Sequence, residues 1–284
     1  MIKYIEWGQH IRWGNFAFLY AGLCNIADKS DNSLELPDYF AWKYFKNPPI
    51  INNDTNYEKL FHFNSTENIK ENLNQYIQYF KDNKNKVVNV NLGSHLQSEL
   101  WFIDNLDLIK EKFSIKKQEI EKIKNKYNNI FTKPTIGIGI RLGDFINHGV
   151  FYQIPFTWYT DALKHEFPNY KDYNVIVFSD DIEYAKIIFK DWNFMYADPN
   201  NTHTHKNNFK YYHKDPMEQF ILASQMENFI GGSSTFSWWN MWYIKNFNDG
   251  KVVHSGKNLS EKGQKEFGNN EKYYPKNWIK HDIK

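Results

Sequence analysis

The sequence predicts an α/β fold built on a parallel, doubly wound sheet. Beyond residue 132, short apolar runs alternate with segments of helical periodicity. At "TKPTIGIGI", Pro134 ends a helical stretch and isoleucines then alternate with glycines, as expected of a strand. Because strands that alternate with helices favour parallel pairing, these two observations predict the fold class.

The predicted elements of this region follow one another without a repeat. Asp215 suits the N-cap of one helix and Pro216 its first position. The elements are strand 135–141, helix 157–166, strand 174–179, helix 182–191, helix 216–227, strand 228–231, helix 234–245 and strand 251–254.

The first half of the chain has a weaker pattern. We predict a loop over 8–14, a helix over 15–24, a second helix over 67–81 and a strand over 86–92. Residues 106–131 form one long amphipathic helix or two. "SDNSLELPDYF" and "FKNPPIINNDTN" are predicted loops.

We therefore place a domain boundary near residue 132. The predicted parts are an N-terminal domain over 1–132, a C-terminal domain over 133–258, and a C-terminal segment over 259–284 that packs back towards the N-terminal domain.

Composition narrows the class of protein. The formal net charge is only +2, and there is no basic stripe with interleaved aromatic residues, so a nucleic-acid partner is not expected. The single cysteine, Cys24, excludes an intrachain disulfide. The N-terminus lacks the apolar core of a signal peptide, and its longest apolar stretch is too short to span a bilayer. We expect a cytoplasmic protein.

Polar residues follow three of the predicted strands. Arg141 and Asp144 follow the first, Ser179, Asp180 and Asp181 end the second, and "GGSST" at 231–235 follows the third. In an open parallel sheet, ligands bind outside the carboxyl ends of the strands. Each group also has a purely structural interpretation, namely a surface ion pair, a helix N-cap, and capping with packing.

Taken together, the three groups predict a nucleotide site. An arginine can neutralise a diphosphate with its planar fork. A glycine-rich loop at a helix start offers backbone N–H groups to phosphate. A carboxylate can hold the ribose or the base.

These stretches resemble motifs of the family 11 glycosyltransferases, the α-1,2-fucosyltransferases. Residues 139–144, "GIRLGD", are similar to the family's "HxRRGD", and residues 178–181 match its "FSDD". Residues 234–239, "STFSWW", match a highly specific motif. Residues 14–21 resemble the family's N-terminal "GNQxFQYA", and "YYPKNWI" resembles its closing segment.

The resemblance implies a GT-B architecture, with two Rossmann-like domains and the active site in the cleft between them. Domain 1–132 would then serve the acceptor and 133–258 the nucleotide-sugar donor. The implied reaction is an inverting transfer of fucose from GDP-fucose to an oligosaccharide hydroxyl, such as O2 of a galactose, without a metal or other cofactor.

The candidate site residues, from the strand ends and from the resemblance, fall into two groups. Arg141 would bind the diphosphate and stabilise the leaving group, with Asp144 or His148 as the base. The remaining donor-binding residues would be Gly14, Asn15, Ser179, Asp180, Asp181, Ser233, Ser234 and Thr235.

Three positions depart from the family pattern. The motif's histidine is Gly139, its second arginine is Leu142, and the asparagine before "STFSWW" is Ser233. A same-fold transferase that uses another nucleotide-sugar donor, or a degenerate glycan-binding or nucleotide-sugar-binding protein, therefore remains an alternative.

The acceptor is not encoded in a motif. We expect it to be bound by the N-terminal half and by exposed rings such as Trp7, Trp13 or Trp42. The implied acceptor is a soluble or lipid-linked glycan of surface-polysaccharide biosynthesis, with at most peripheral membrane association. His203, His205 and His213 lie in a polar stretch without a carboxylate pattern, and we predict no metal there.

Overall fold

The computed structural model shows two compact units, residues 1–116 and 117–284. The described residues are 1–4, 12–51, 60–62, 68–84, 88–91, 96–146, 148–197, 216–267 and 271–283.

The first unit contains a five-stranded sheet in which all strand pairs are parallel. The strand order is β3-β2-β1-β5-β4. The strands are β1 (Ile2–Tyr4), β2 (Leu34–Leu36), β3 (Ile50–Ile51), β4 (Leu60–His62) and β5 (Val88–Asn91). The helices are α1 (Trp13–Lys29), α2 (Ile69–Asp82) and α3 (Leu106–Lys112).

Helix α1 is the central helix of this unit. It begins earlier and ends later than the predicted helix 15–24, and nearly all of its residues are buried. The ring of Trp13 stacks on Phe45 at 5.4 Å between centroids, and Trp42 packs edge-on against Phe16 at 4.8 Å. Because Trp13 and Trp42 are both buried, the expectation that they are exposed acceptor platforms is wrong; Trp7 lies outside the described residues.

The second unit contains a six-stranded parallel sheet, with the strand order β11-β10-β9-β6-β7-β8. The strands are β6 (Thr135–Ile140), β7 (Asn174–Ser179), β8 (Met195–Tyr196), β9 (Asn228–Gly231), β10 (Val252–His254) and β11 (Ile279–Lys280). The helices are α4 (Lys117–Lys126), α5 (Phe156–Glu166), α6 (Ile182–Ile188), α7 (Met217–Ala223), α8 (Thr235–Phe247) and α9 (Glu261–Phe267).

The α/β class and the alternation predicted from residue 135 onward are confirmed. Helix α7 is shorter than the predicted 216–227, with Pro216 at its N-cap, and Asp215 lies outside the described residues. The predicted helical stretch 106–131 is divided into α3, α4 and a 3-10 turn.

The first unit ends before the predicted boundary near residue 132. Helix α4 packs against α7 of the second unit. Nζ of Lys126 and the hydroxyl of Tyr127 both donate to Oε1 of Glu218, at 2.7 and 2.6 Å. These contacts attach 117–132 to the second unit, which the helical pattern alone could not show.

The C-terminal segment also belongs to the second unit. Strand β11 pairs with β10, and the indole of Trp238 donates to the carbonyl of Tyr273 at 2.7 Å. The indole of Trp158 likewise donates to the carbonyl of His281 at 2.9 Å. Hydrogen bonds from α5 and α8 therefore hold this segment within the second unit, and its packing towards the N-terminal domain stays a prediction.

The three tryptophans of "STFSWWNMW" lie inside the second unit. Trp238, Trp239 and Trp242 are fully buried and pack edge-on in sequence, with centroids 5.1 and 5.2 Å apart. These three side chains form the buried face of α8, as their spacing predicts. Within the described part of the chain, no helix has both the length and the apolar character needed to cross a membrane.

We predict that Trp238→Ala destabilises the second unit by about 3–5 kcal/mol, because it leaves a cavity and removes the donor to the Tyr273 carbonyl. Circular dichroism during urea unfolding measures the loss. Phe247→Ala removes a ring from the exposed end of the same helix and should change stability by only about 0.5 kcal/mol. Equal losses in the two variants would contradict the assigned role of Trp238.

Candidate active site

The strand order brings the three polar groups to one edge of the second sheet. Strand β6 lies between β9 and β7, with Gly139 opposite Gly231 and Ile140 opposite Ser179. The chain runs outward from β6 through β7 to β8 and then resumes on the other side at β9. The carboxyl ends of β6 and β9 therefore form a topological switch point, where open α/β sheets bind ligands.

The turn after β6 is held by the carboxylate of Asp180. Its Oδ1 accepts the N–H of Leu142 at 2.9 Å, and its Oδ2 accepts the N–H of Gly143 at 3.0 Å. A Cβ at Gly143 would overlap Oδ2, so this residue must be glycine for the carboxylate to approach. Asp180 thus shapes the turn that presents Arg141.

Arg141 lies between two carboxylates. Its Nη2 and Nε contact Oδ1 of Asp144 at 2.6 and 2.8 Å, and its Nε lies 3.2 Å from Oδ2 of Asp180. The Arg141 side chain is 21% exposed, and its Cζ lies 5.8 Å from the centroid of the Phe145 ring. An anionic ligand therefore meets a guanidinium that is positioned but already neutralised.

Two residues at the end of β7 serve the start of α6. Oδ1 of Asp181 accepts the N–H of Tyr184 at 3.0 Å, and the hydroxyl of Ser179 accepts the N–H of Asp181 at 3.0 Å. Both side chains are buried. The N-cap interpretation of "SDD" therefore describes Ser179 and Asp181, whereas Asp180 turns towards the Arg141 loop.

The loop after β9 brings its backbone close to β6. The N–H of Gly232 donates to the carbonyl of Gly139 at 2.9 Å, and a Cβ at Gly232 would lie 2.6 Å from the hydroxyl of Tyr159. A Cβ at Gly231 would overlap the side chain of Met241. At Gly232 a Cβ would also lie 2.9 Å from the backbone oxygen of Gly139, so close packing favours glycine there, whereas at Gly231 the side chain of Met241 would have to move.

The hydroxyl groups of this loop differ in what they contact. Ser234 is the N-cap of α8 and accepts the N–H of Ser237 at 3.2 Å, while Ser233 donates to the carbonyl of Tyr152 at 3.3 Å. Thr235 is the first residue of α8 and is partly exposed. Among the described residues, nothing hydrogen-bonds its hydroxyl, so Thr235 is the member of the run that is available to a ligand.

The departures from the family motif have a packing explanation. A Cβ at Gly139 would lie 2.5 Å from the hydroxyl oxygen of Ser237 and 2.8 Å from the ring of Phe229. Leu142 is fully buried in the core cluster that contains Ile140. Neither position has room for a cation, so Arg141 is the cation that residues 139–144 offer.

The remaining predicted residues lie elsewhere. His148 is exposed, with its ring centroid 4.8 Å from that of Phe151. Gly14 and Asn15 lie in the first turn of α1 and not in a loop; Oδ1 of Asn15 accepts Nε2 of Gln97 at 3.0 Å. They belong to the first unit, and Arg141 to the second.

Sequence reasoning missed two residues at this edge of the second sheet. Tyr159 lies against Gly232, and burial raises the pKa of its hydroxyl. His254 ends β10 opposite Gly231, and burial, with a smaller effect of Lys280, lowers its pKa to about 4. His254 is therefore neutral at physiological pH. The position of His254 at the end of the predicted strand 251–254 is the signal in the sequence that could have identified it.

Comparison with known proteins gives the family. The family model described as glycosyl transferase family 11 matches residues 60–282. The chain belongs to glycosyl transferase family 11. A curated relative, the O-antigen biosynthesis glycosyltransferase WbnK of Escherichia coli, is 29% identical over 126 residues. That match spans 42% of this chain and only 37% of the relative.

Solved structures of fucosyltransferases share the fold of this family member. NodZ from Bradyrhizobium has a TM-score of 0.53 at 11% identity, over 89% of this chain and 94% of that one. A variant of Arabidopsis thaliana FUT1 in complex with GDP has a TM-score of 0.51 at 10% identity, over 90% and 70%. POFUT1 in complex with GDP-fucose has a TM-score of 0.51 at 12% identity, over 88% and 94%.

We predict that Asp180→Asn destabilises the turn after β6 by about 1–3 kcal/mol, because the amide leaves one backbone N–H without an acceptor. Hydrogen exchange at Leu142 and Gly143 should accelerate. Glu183→Gln makes the same chemical change at an exposed residue of α6 that pairs with Lys186, and it should change stability by less than about 0.5 kcal/mol. Unchanged exchange in Asp180→Asn would show that the carboxylate does not hold the turn.

Proposed function

We propose that this family 11 glycosyltransferase transfers fucose from GDP-fucose to a hydroxyl of an oligosaccharide, with O2 of a galactose as the first candidate. The transfer inverts the anomeric centre and needs no metal or other cofactor. Arg141 and the N-terminus of α8 flank one switch point of the second sheet, and this observation carries the proposal.

The donor diphosphate would be bound between Arg141 and α8. The N-terminus of a helix carries a partial positive charge and free N–H groups, which favour phosphate. Gly231 and Gly232 put only backbone at this point, and the Thr235 hydroxyl adds a donor. The solved complexes of FUT1 with GDP and of POFUT1 with GDP-fucose support a guanosine donor for this fold.

Donor binding would rearrange the ion pairs of Arg141. Its Nη2 contacts only Asp144, whereas its Nε contacts both Asp144, at 2.8 Å, and Asp180, at 3.2 Å. A diphosphate that takes the Nη groups would break the Nη2 contact with Asp144, and we propose that Asp144 then also leaves Nε, so that Asp180 remains as the anchor. The displaced Asp144 carboxylate would then accept the proton of the acceptor hydroxyl, so that the base is released when the donor is in place.

Other residues would support the donor indirectly or from the first unit. Ser179 and Asp181 order the start of α6 beside Asp180, and Ser233 and Ser234 order the start of α8. We propose that Gly14 and Asn15 add donor contacts from the start of α1, and that the first unit binds the acceptor. We also propose a cytoplasmic role in surface-polysaccharide synthesis, with a soluble or lipid-linked glycan as acceptor; the relative named as an O-antigen biosynthesis glycosyltransferase supports the polysaccharide role.

A donor screen tests the function. Isothermal titration with GDP, GDP-fucose and UDP-sugars should show binding of the guanosine ligands, and GDP release should depend on a galactose-terminated acceptor. Binding of UDP without GDP would sink the fucosyl proposal and favour another nucleotide-sugar donor. GDP binding without release or transfer would favour a degenerate binding protein, an alternative that the packed positions of Gly139 and Leu142 keep open.

We predict that Arg141→Ala reduces GDP affinity by roughly 10–100-fold and abolishes transfer, because a hydrogen bond to a charged group contributes about 1.5–3 kcal/mol. Arg141→Lys should recover only part of the affinity, since an ammonium lacks the bidentate fork. Titration and initial rates measure both effects. Lys186→Ala, an exposed cation on α6, is the control, and GDP binding by Arg141→Ala at the wild-type level would exclude this diphosphate site.

We predict that Asp144→Asn lowers kcat by about 10²–10⁴-fold, the range for loss of a general base, while GDP still binds. His148→Ala should lower kcat far less, because its ring is exposed and packs beside Phe151. Single-turnover rates with saturating donor make the comparison. Near-normal turnover in Asp144→Asn would reject Asp144 as the base, and a larger loss in His148→Ala would assign that role to His148.

A further inference from the structure

We propose that His165, Glu166 and His281 bind a divalent transition-metal ion of the Zn²⁺ type, and that this ion fastens the C-terminal residues of the chain to α5. The three residues offer ligand atoms that all lie within 4.8 Å of one another. Two imidazoles and one carboxylate are a ligand set that suits zinc, with water in the remaining position. This inference does not depend on the proposed transfer reaction.

The distances fit one ion at the centre of the cluster. Nδ1 of His165 lies 3.0 Å from Oε1 of Glu166, and Nδ1 of His281 lies 3.4 Å from the same oxygen. Ligand atoms about 2.0–2.2 Å from a tetrahedral zinc ion are roughly 3.3 Å apart. All three ligand atoms lie within 4.8 Å of one another, so side-chain rotations that bring the two histidine nitrogens closer together would direct all three at one ion.

Two of the three proposed ligands are buried, and the third is exposed to solvent. The side chains of His281 and Glu166 are 8% and 14% exposed, whereas that of His165 is 72% exposed. Two ligands are thus held by the protein interior, and the third lies at the surface, where it can admit an ion from solvent.

Lys251 orients the carboxylate of Glu166. Its Nζ lies 3.1 Å from Oε2 of Glu166, which leaves Oε1 directed at the two histidines. The ligand therefore has an outer partner of the kind that metal-binding carboxylates have.

Backbone hydrogen bonds fix the position of His281, whereas the ring nitrogen Nε2 makes no hydrogen bond to a described residue. The N–H of His281 donates to the carbonyl of His254 at 2.9 Å, and its own carbonyl accepts the indole N–H of Trp158. Nε2 of His281 is buried and makes no hydrogen bond to any described residue. Metal binding at Nδ1 would replace the contact of Nδ1 with Glu166 and place the ring proton on Nε2, which has no acceptor among the described residues.

The cluster is separate from the Arg141 loop. Tyr159, which lies against Gly232, precedes Glu166 by about two helical turns, or roughly 10 Å along α5. The ion would therefore stabilise the attachment of 279–283 to α5 and take no part in transfer. Its loss should lower thermal stability, whereas transfer below the melting temperature should continue in EDTA.

Zinc titration of the full chain after EDTA treatment tests the site, without donor or acceptor present. We expect one ion per chain, a raised Tm, and an affinity that falls as the pH falls, because protons compete with the metal for the histidine nitrogens. Loss of an outer partner costs about 10–100-fold in metal affinity, so His165→Ala and Glu166→Gln, which remove direct ligands, should each cost at least about 100-fold.

The matched control is the double variant His203→Ala, His205→Ala, which removes two of the three histidines in the stretch 203–213. It should bind zinc as the wild type does. Because His165 is exposed, His165→Ala tests the site even if Glu166→Gln does not fold. The proposal is overturned if the wild type binds no zinc, if His165→Ala binds it with unchanged affinity, or if the control variant abolishes binding. In each of these cases, the pairing of β11 with β10 and the hydrogen bonds of His281 would hold the C-terminal residues without an ion.

Discussion

One carboxylate, that of Asp180, sets the geometry on which the candidate active site depends. It accepts two successive backbone N–H groups of the turn after β6 and contacts Nε of Arg141. Without this acceptor, two partly buried donors would lack partners and the arginine would lose one of its anchors. The end of β7 thereby controls what the end of β6 presents at the switch point.

In the proposed donor site, a single arginine side chain would contact the diphosphate. Of the 35 lysines and arginines of the chain, only Arg12 and Arg141 are arginines. Arg141 places its planar guanidinium at the strand end where the proposed diphosphate would need a fork. Where the family motif has a second arginine, this chain has the core residue Leu142, so the N-terminus of α8 becomes the natural second source of positive potential.

The parts of the fold that the sequence predicted are those with a strong local pattern. Strands β6, β7, β9 and β10 fall within a residue of their predicted limits, because isoleucine, valine and phenylalanine runs bounded by turns favour strands. Strands β2, β3 and β11 have two or three residues each and lie in stretches that look like loops. Such strands exist only through pairing with a neighbour, and no local periodicity reports that pairing. The attachment of α4 and of the C-terminal segment to the second unit likewise depends on distant partners.

The sequence by itself determined the α/β class, the positions of β5, β6, β7, β9 and β10, the three polar strand ends and the buried tryptophan face of α8. The tertiary structure alone decided which of those polar side chains already hydrogen-bond to other parts of the protein. It assigned Asp181 and Ser234 to helix caps, Asp180 to the turn beside Arg141, and left Thr235 available. The reason is physical: a capping bond is local, but the bond from Asp180 to Leu142 joins residues 38 positions apart, and only the assembled sheet places them side by side.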